Sequence, residues 1–287
     1  MERRRRGWVF AAFGMLLVST DSFWVRWSEE DSWTIAFWVA IFSLVLYSAM
    51  GVVTKEPTPV AAFRAAGWPL LAVAIGATVS QLAFITALTR TSVANVVVIV
   101  AAAPVLAALV GWVFLREQTS RRVWVAIVVT VVGVLVIVVR SLGDPTLDGV
   151  LFALLAILAF ATNMNLWRRW PAMSRLVGLS TAAAFVAIVS LIAGVDFGID
   201  GRALFAFVGM GLVFNPIGRL FHTHAPRYVP ASEVAMFTPI ETVAAPIWAW
   251  VGFSEVPEVW TVVGGVIVIS GMLYGTLGRP TPDPVTA

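Results

Sequence analysis

The sequence predicts an all-α polytopic membrane protein, ten transmembrane helices arranged as two inverted five-helix repeats. Three observations lead there. Hydrophobic residues make up 60% of the 287 and charged residues 12%, against roughly 45–50% and about 25% in a soluble domain. The apolar residues fall into ten runs, each close to the length that crosses a bilayer. The two halves of the chain also resemble each other. A single soluble core cannot absorb that apolar surplus and still present a polar surface. Soluble, disordered and disulfide-stapled classes are therefore excluded. Cysteine is absent, which removes disulfides, thiolate metal sites and thiol nucleophiles.

The expected spans run Gly7 to Trp27, Thr34 to Thr54, Ala65 to Leu88, Ser92 to Leu115 and Val123 to Val139 in the first half. The second half has Gly149 to Trp167, Leu176 to Val195, Arg202 to His222, Ser232 to Phe253 and Val259 to Leu277. Each is bounded by charge, Pro or Gly, the residues that end an apolar helix. Residues 1–6 form a basic N-terminus, 7–140 the first repeat, 147–277 the second, and 278–287 a disordered tail. The first run follows four arginines, as a signal peptide does. It is too long for one and lacks a small-residue cleavage site, so it is read as a retained helix.

Lys and Arg in the gaps set orientation. The termini and the gaps on their side carry 14, among them Arg3 to Arg6, Lys55, Arg168, Arg169 and Arg175; the opposite side carries Arg26, Arg90, Arg140 and Arg202. Both termini are therefore expected in the cytoplasm, in a plasma (bacterial inner) membrane. The 13 tryptophans cluster near predicted helix ends, as interfacial aromatic belts do. The net charge of +3 thus reads as topology rather than a nucleic-acid surface.

The repeat is read by offset. Shifting by 138 lays Val105 on Val243, Trp112 on Trp250, Glu117 on Glu255 and Gln81 on Arg219. Near the start of each half an offset of 142 lays Gly7 on Gly149, Thr20 on Thr162 and Asp21 on Asn163. Five is an odd number, so the second half inserts upside down, a recurring transporter architecture.

Ten helices in two inverted repeats, each with a Pro-then-apolar stretch closing on Glu (Pro104 with Glu117, and a degenerate copy ending in Glu255), resemble the EamA-type members of the drug/metabolite transporter superfamily. Arg116 and Ser254 stand where that family often has Gly, and Thr242 where it has Pro. Within the superfamily the chain looks most like exporters of aromatic and other amino acids, the YddG type. The resemblance implies a central cavity enclosed by the first, third, fourth, sixth, eighth and ninth spans, and export of amino acids or similar metabolites.

Polar groups at membrane depth are costly, so each is a candidate. Glu241, near the middle of the ninth span, is suited to bind a substrate ammonium or exchange a proton, or else to fix packing by a hydrogen bond. Asp21, with Ser19 beside it, and its repeat counterpart Asn163, with Asn165, are expected to face the pseudo-symmetry axis; the alternative pairs Asp21 with Arg90 or Arg26. Arg219 and His222 share a helix face. Arg219 is suited to a substrate carboxylate, or else to snorkelling or pairing with Glu233. Gln81, Ser80, Asn95 and Asn215 are weaker candidates, and Phe84, Trp24 and Trp248 would give an apolar wall. Pro104, Pro216, Pro239 and Pro246 are expected hinges. Gly271 and Gly275 form a GxxxG that favours close helix contact.

No metal or cofactor is expected: the two histidines lack ligand spacing. No hydrolase, phosphate-loop or metalloprotease motif is present. The expected partners are the lipid bilayer, a small-molecule substrate and, as a coupling ion, the proton. Competing readings are a lipophilic-cation exporter of the same fold, a channel, and a membrane-embedded enzyme.

Overall fold

The computed structural model describes residues 2–100, 102–115, 121–140, 146–228, 234, 237–254, 256 and 259–276. Every described element is helical. Six helices are long and apolar enough to cross a membrane, among the described residues: Arg5–Ser28, Ser32–Val53, Trp68–Arg90, Leu147–Arg169, Arg175–Ala193 and Gly201–His224. The chain is a multi-pass membrane protein.

Several expected spans are recovered within a few residues. They are α3 (Ser32–Val53), α5 (Trp68–Arg90), α8 (Arg121–Arg140), α9 (Leu147–Arg169), α10 (Arg175–Ala193) and the last helix, α14 (Val259–Thr276). Their caps follow the sequence. Asp31 accepts from the Trp33 and Thr34 amides before α3, and Ser174 accepts from the Val177 amide before α10, each satisfying amides that a helix start leaves unpaired. Ala65, expected at the start of the third span, lies instead in the short α4 (Pro59–Ala66), because Gly67 at φ +65° turns the chain before α5 begins.

The first, fourth, eighth and ninth spans differ from expectation. The first is two helices, α1 (Glu2–Val18) and α2 (Asp21–Ser28), broken at Ser19 and Thr20. The break survives in an apolar setting because its own hydroxyls occupy the freed carbonyls. Ser19 donates to Leu16 O at 2.7 Å, Thr20 to Leu17 O at 2.8 Å, and Ser22 to Ser19 O at 3.2 Å. The fourth is α6 (Val93–Val100) followed by α7 (Ala103–Leu115). Pro104 stands at the start of α7, where a missing amide costs nothing, rather than kinking a continuous helix.

The eighth span is α11 (Gly201–Val208), a π-helical segment (Gly209–Phe214) and α12 (Asn215–His224). Here Pro216, in the first turn of α12, withholds an amide. The Asn215 amide reaches back to Met210 O, and the Gly211 carbonyl is left for the Ser43 hydroxyl, 3.0 Å away on α3. The Pro216 carbonyl accepts from Tyr47 at 3.2 Å. The ninth span begins as α13 (Thr238–Phe253), with Pro239 in its first turn; residues 229–233, 235 and 236 lie outside the described residues.

The helices pack in pairs: α8 with α14, α5 with α9, α3 with α10, and α1 with α12. Glycine decides how close two of these pairs come. A Cβ on Gly14 would sit 2.8 Å from the Gly218 carbonyl, and one on Gly218 2.9 Å from the Gly14 carbonyl. A Cβ on Gly271 would meet the Thr130 hydroxyl at 2.8 Å, so that glycine serves a contact inside the chain. The largest apolar core, including Val39, Ile85, Leu88, Ile99, Ile157 and Phe207, joins the ends of α2, α5 and α6 to the starts of α3, α9 and α11.

Candidate functional site

Beyond that core, toward the end of the bundle that holds the N-terminus, lies a cavity of about 90 Å³. Asp21, Ala77, Ser80, Phe84, Val100, Phe160, Asn163, Met164, Trp167, Arg219, His222 and Thr223 are among its lining residues. They come from the first, third, fourth, sixth and eighth expected spans, with Leu179 added from the seventh. A second space of about 10 Å³, the size of one water, adjoins it through Ala77 and Arg219 and is lined by Ser43, Tyr47, Gln81 and Asn215.

The break between α1 and α2 places Asp21 at the first residue of α2, where the unpaired amides of a helix start favour a negative charge. One carboxylate oxygen accepts from Asn215 Nδ2 at 2.5 Å. The other, Oδ1, is buried without a hydrogen bond, as are Asn163 Oδ1 and Arg219 Nε. Arg219 lies within electrostatic reach of Asp21, Tyr47 and His222. The cavity thus holds a carboxyl group, a guanidinium and an amide with spare hydrogen-bonding capacity. Phe84, Phe160, Trp167, Met15 and Met164 supply apolar walls. Unfilled polar atoms at this depth are expensive, so a ligand or water that fills them is favoured.

Of the residues singled out from sequence, Asp21, Ser80, Phe84, Asn163, Arg219 and His222 meet at this cavity, and Gln81 and Asn215 at its smaller neighbour. Others lie elsewhere. Ser19 receives the Trp248 indole N–H at 3.3 Å, tying α13 to the helix break. Trp24 packs in an aromatic cluster with Phe23, Trp27, Phe205 and Phe214. Asn95 accepts from Thr261 at 2.5 Å and donates to Thr91 at 3.2 Å, linking α6 to α14. Asn165 donates to Ala107 O at 3.0 Å, linking α9 to α7. The side chains of Glu241, Pro104, Pro239 and Pro246 lie outside the described residues, as does Glu233. Neither suggested partner of Asp21 pairs with it: Arg90 binds Asp148 at 2.5 Å, and Arg26 donates to Thr91 O at 2.5 Å.

Sequence reasoning missed Tyr47, Phe160, Thr223 and Trp167. Trp167, expected in an interfacial belt, is 1% exposed. A tryptophan at a helix end serves either role, and only its neighbours decide. For Tyr47, its place on the face of α3 turned to the π-helical segment was the missing information.

Among known proteins, residues 5–139 match the family described as "EamA-like transporter family". An EamA-like membrane-transporter domain therefore covers nearly the first half of the chain. No curated protein matches. A solved protein crystal structure aligns over 96% of this chain and 98% of that one, with a TM-score of 0.68 and 15% identity. At that identity the likeness shows a shared fold.

Proposed function

We propose that this chain, with its EamA-like transporter domain over residues 5–139, exports small zwitterions across the plasma membrane by alternating access. Neutral amino acids with apolar or aromatic side chains are the substrate class. The observation that carries this is the meeting of Asp21 and Arg219, each with an unfilled polar atom, in one aromatic-walled cavity. The carboxylate side suits an ammonium, the guanidinium suits a carboxylate, and the aromatic wall suits an apolar side chain. A phosphorylated substrate would call for several cations at this depth, and Arg219 is the one on the described lining.

Two inverted five-helix repeats are part of the proposal, and the packing supports them. Numbering the expected spans one to ten, exchange of the halves turns the first–eighth contact into the sixth–third contact, and both occur. It leaves the second–seventh and fifth–tenth contacts unchanged, and both occur. The agreement reaches individual residues. The offsets lay Gly14 on Ala156 and Ser80 on Gly218. Gly14 meets Gly218 at one crossing, and Ser80 donates to Ala156 O at 3.1 Å at the other. Asp21 and its counterpart Asn163 both face the cavity.

A lipophilic-cation exporter would use Asp21 alone and leave Arg219 without a purpose. Counterflow in proteoliposomes separates the two. Labelled neutral amino acids and quaternary cations are tested with and without a pH gradient, beside Asp21→Asn and Arg219→Gln. The expected result is saturable amino-acid exchange that falls about tenfold to a hundredfold in either variant, since each loses a charge-assisted hydrogen bond. Exchange of cations alone, indifferent to Arg219→Gln, would overturn the substrate class. Dependence on the pH gradient assigns the proton as coupling ion.

A further inference from the structure

We propose that Trp167 is the plug that closes the cavity at the N-terminal face, and that Arg175 and Gly178 are positioning residues that hold its indole there. Together they set how long a ligand the cavity accepts. The proposal rests on reading the cavity as a transport site; the plug itself is a matter of packing.

Four features converge on this ring. Trp167 lines the cavity, yet it sits in the last turn of α9, where the chain is about to leave the membrane. It is 1% exposed, because Ala62 of α4, Met173 of the α9–α10 loop and Val177 of α10 pack around it. The Arg175 guanidinium lies over the ring, 5.0 Å from its centroid. The far edge of the indole fills the notch left by Gly178, where an added Cβ would stand 2.6 Å from Cη2. Beyond it, Trp68 and Trp170 meet edge-to-face at 5.0 Å on the same end of the bundle.

Arg175 is the unexpected member. Its position at the cytoplasmic start of a span suggests a solvated topology charge, yet it is 2% exposed. Its guanidinium donates to Pro171 O at 2.5 Å and to Met173 O at 2.8 Å, with a long bond of 3.5 Å to Thr223 O. A desolvated cation so placed donates from Nε and Nη1 while its face lies on the ring, a burial that strengthens cation–π contact. It joins the α9–α10 loop to the end of α12, and Thr223 is itself a lining residue. One side chain thus ties three carbonyls and the plug together. Withdrawal of the loop from α12 would release the ring and open the cavity to this face.

Without native cysteine, a single Ser80→Cys reporter reads the plug directly. Membrane vesicles exposing the N-terminal face are treated with membrane-impermeant trimethylammonium-ethyl methanethiosulfonate, and the rate of modification is measured. Trp167→Ala is expected to raise that rate about tenfold, Trp167→Phe and Arg175→Lys by less, and Gly178→Ala in the same direction. The discriminating result is coupling: Gly178→Ala and Arg175→Lys add nothing once Trp167 is Ala, because they act through the ring they position. A merely destabilised bundle would show additive effects. An unchanged rate in monodisperse Trp167→Ala protein, or undiminished effects of the other two in its background, would overturn the proposal; should Gly178→Ala not fold, Trp167→Phe and Arg175→Lys decide it. The reaction needs no ligand. Altered accessibility without counterflow keeps the plug and removes the transport reading, and counterflow with unaltered accessibility does the reverse.

Discussion

Asp21 and Asn215 are separated by 194 positions and joined at 2.5 Å. The aspartate owes its site to the hydroxyl-stitched break before it, and the asparagine to the π-helical segment before it. Two local irregularities thereby make one polar contact, which is why neither partner was evident from the other. A different carboxyl shows how charge behaves outside the membrane. Glu30, in the loop between α2 and α3, has its pKa raised by partial burial first and then by Asp196, Asp200 and Asp31. A carboxyl raised in the folded state penalises folding while it is ionised. That penalty is present above the raised pKa, shrinks as pH falls through it, and is gone below the ordinary 4.5. Glu30→Gln is therefore expected to raise the thermal midpoint slightly at pH 7, with the advantage vanishing below pH 4.5. A thermal scan across pH checks this, and an advantage that grows on acidification would contradict it.

At the scale of helices, breaks and glycines act together. The α1–α2 break, the α6–α7 break and the π-helical segment all fall in spans that border the cavity. Irregular backbone is tolerated at membrane depth where protein or a cavity satisfies it, and here Ser43 and Tyr47 do so. Close approach supplies the rigidity around these breaks. The Gly14–Gly218 crossing leaves no space for a methyl group on either side: Gly14 faces the Gly218 carbonyl at 2.8 Å, and Gly218 faces Val18 Cγ2 at 2.8 Å and the Gly14 carbonyl at 2.9 Å. Gly218→Ala should cost about 1–3 kcal/mol by forcing α1 and α12 apart, seen as a lower melting midpoint in detergent. Gly51→Ala, with nothing within 4 Å of the added carbon, is the control and should leave it unchanged. Equal effects of the two would remove the crossing as the cause.

For the molecule as a whole, the described residues give the two ends of the bundle different contacts. At the end holding the N-terminus they include the aromatic pairs Trp68 with Trp170 and Phe10 with Phe221, beside the Arg175 guanidinium over Trp167. At the other end Arg202 pairs with Glu29 at 2.9 Å and lies over Trp27, and Arg90 pairs with Asp148. These ion pairs are partly exposed and individually weak, which suits the proposed alternating access. Alternating access requires each end to open in turn. Cysteine pairs at 68 and 170, and separately at 29 and 202, should each abolish exchange when cross-linked, with reduction restoring it. Flux that persists under either cross-link would favour a fixed pore.

Membrane residence and most span limits were legible in the residues alone, because hydropathy, charge in the gaps and capping residues are properties of single segments. The polar candidates were legible for the same reason: a charge inside an apolar run is costly wherever its neighbours lie. Whether such a residue meets the cavity was not. Asn95 and Asn165 look like Asn163 in sequence, yet they tie helices together while Asn163 faces the cavity. Lipid and protein interior are equally apolar, so these helices carry little amphipathic pattern to say which face turns inward. The break at Ser19 and the burial of Trp167 and Arg175 were hidden likewise. Each depends on partners from distant parts of the chain, and packing alone brings those partners together.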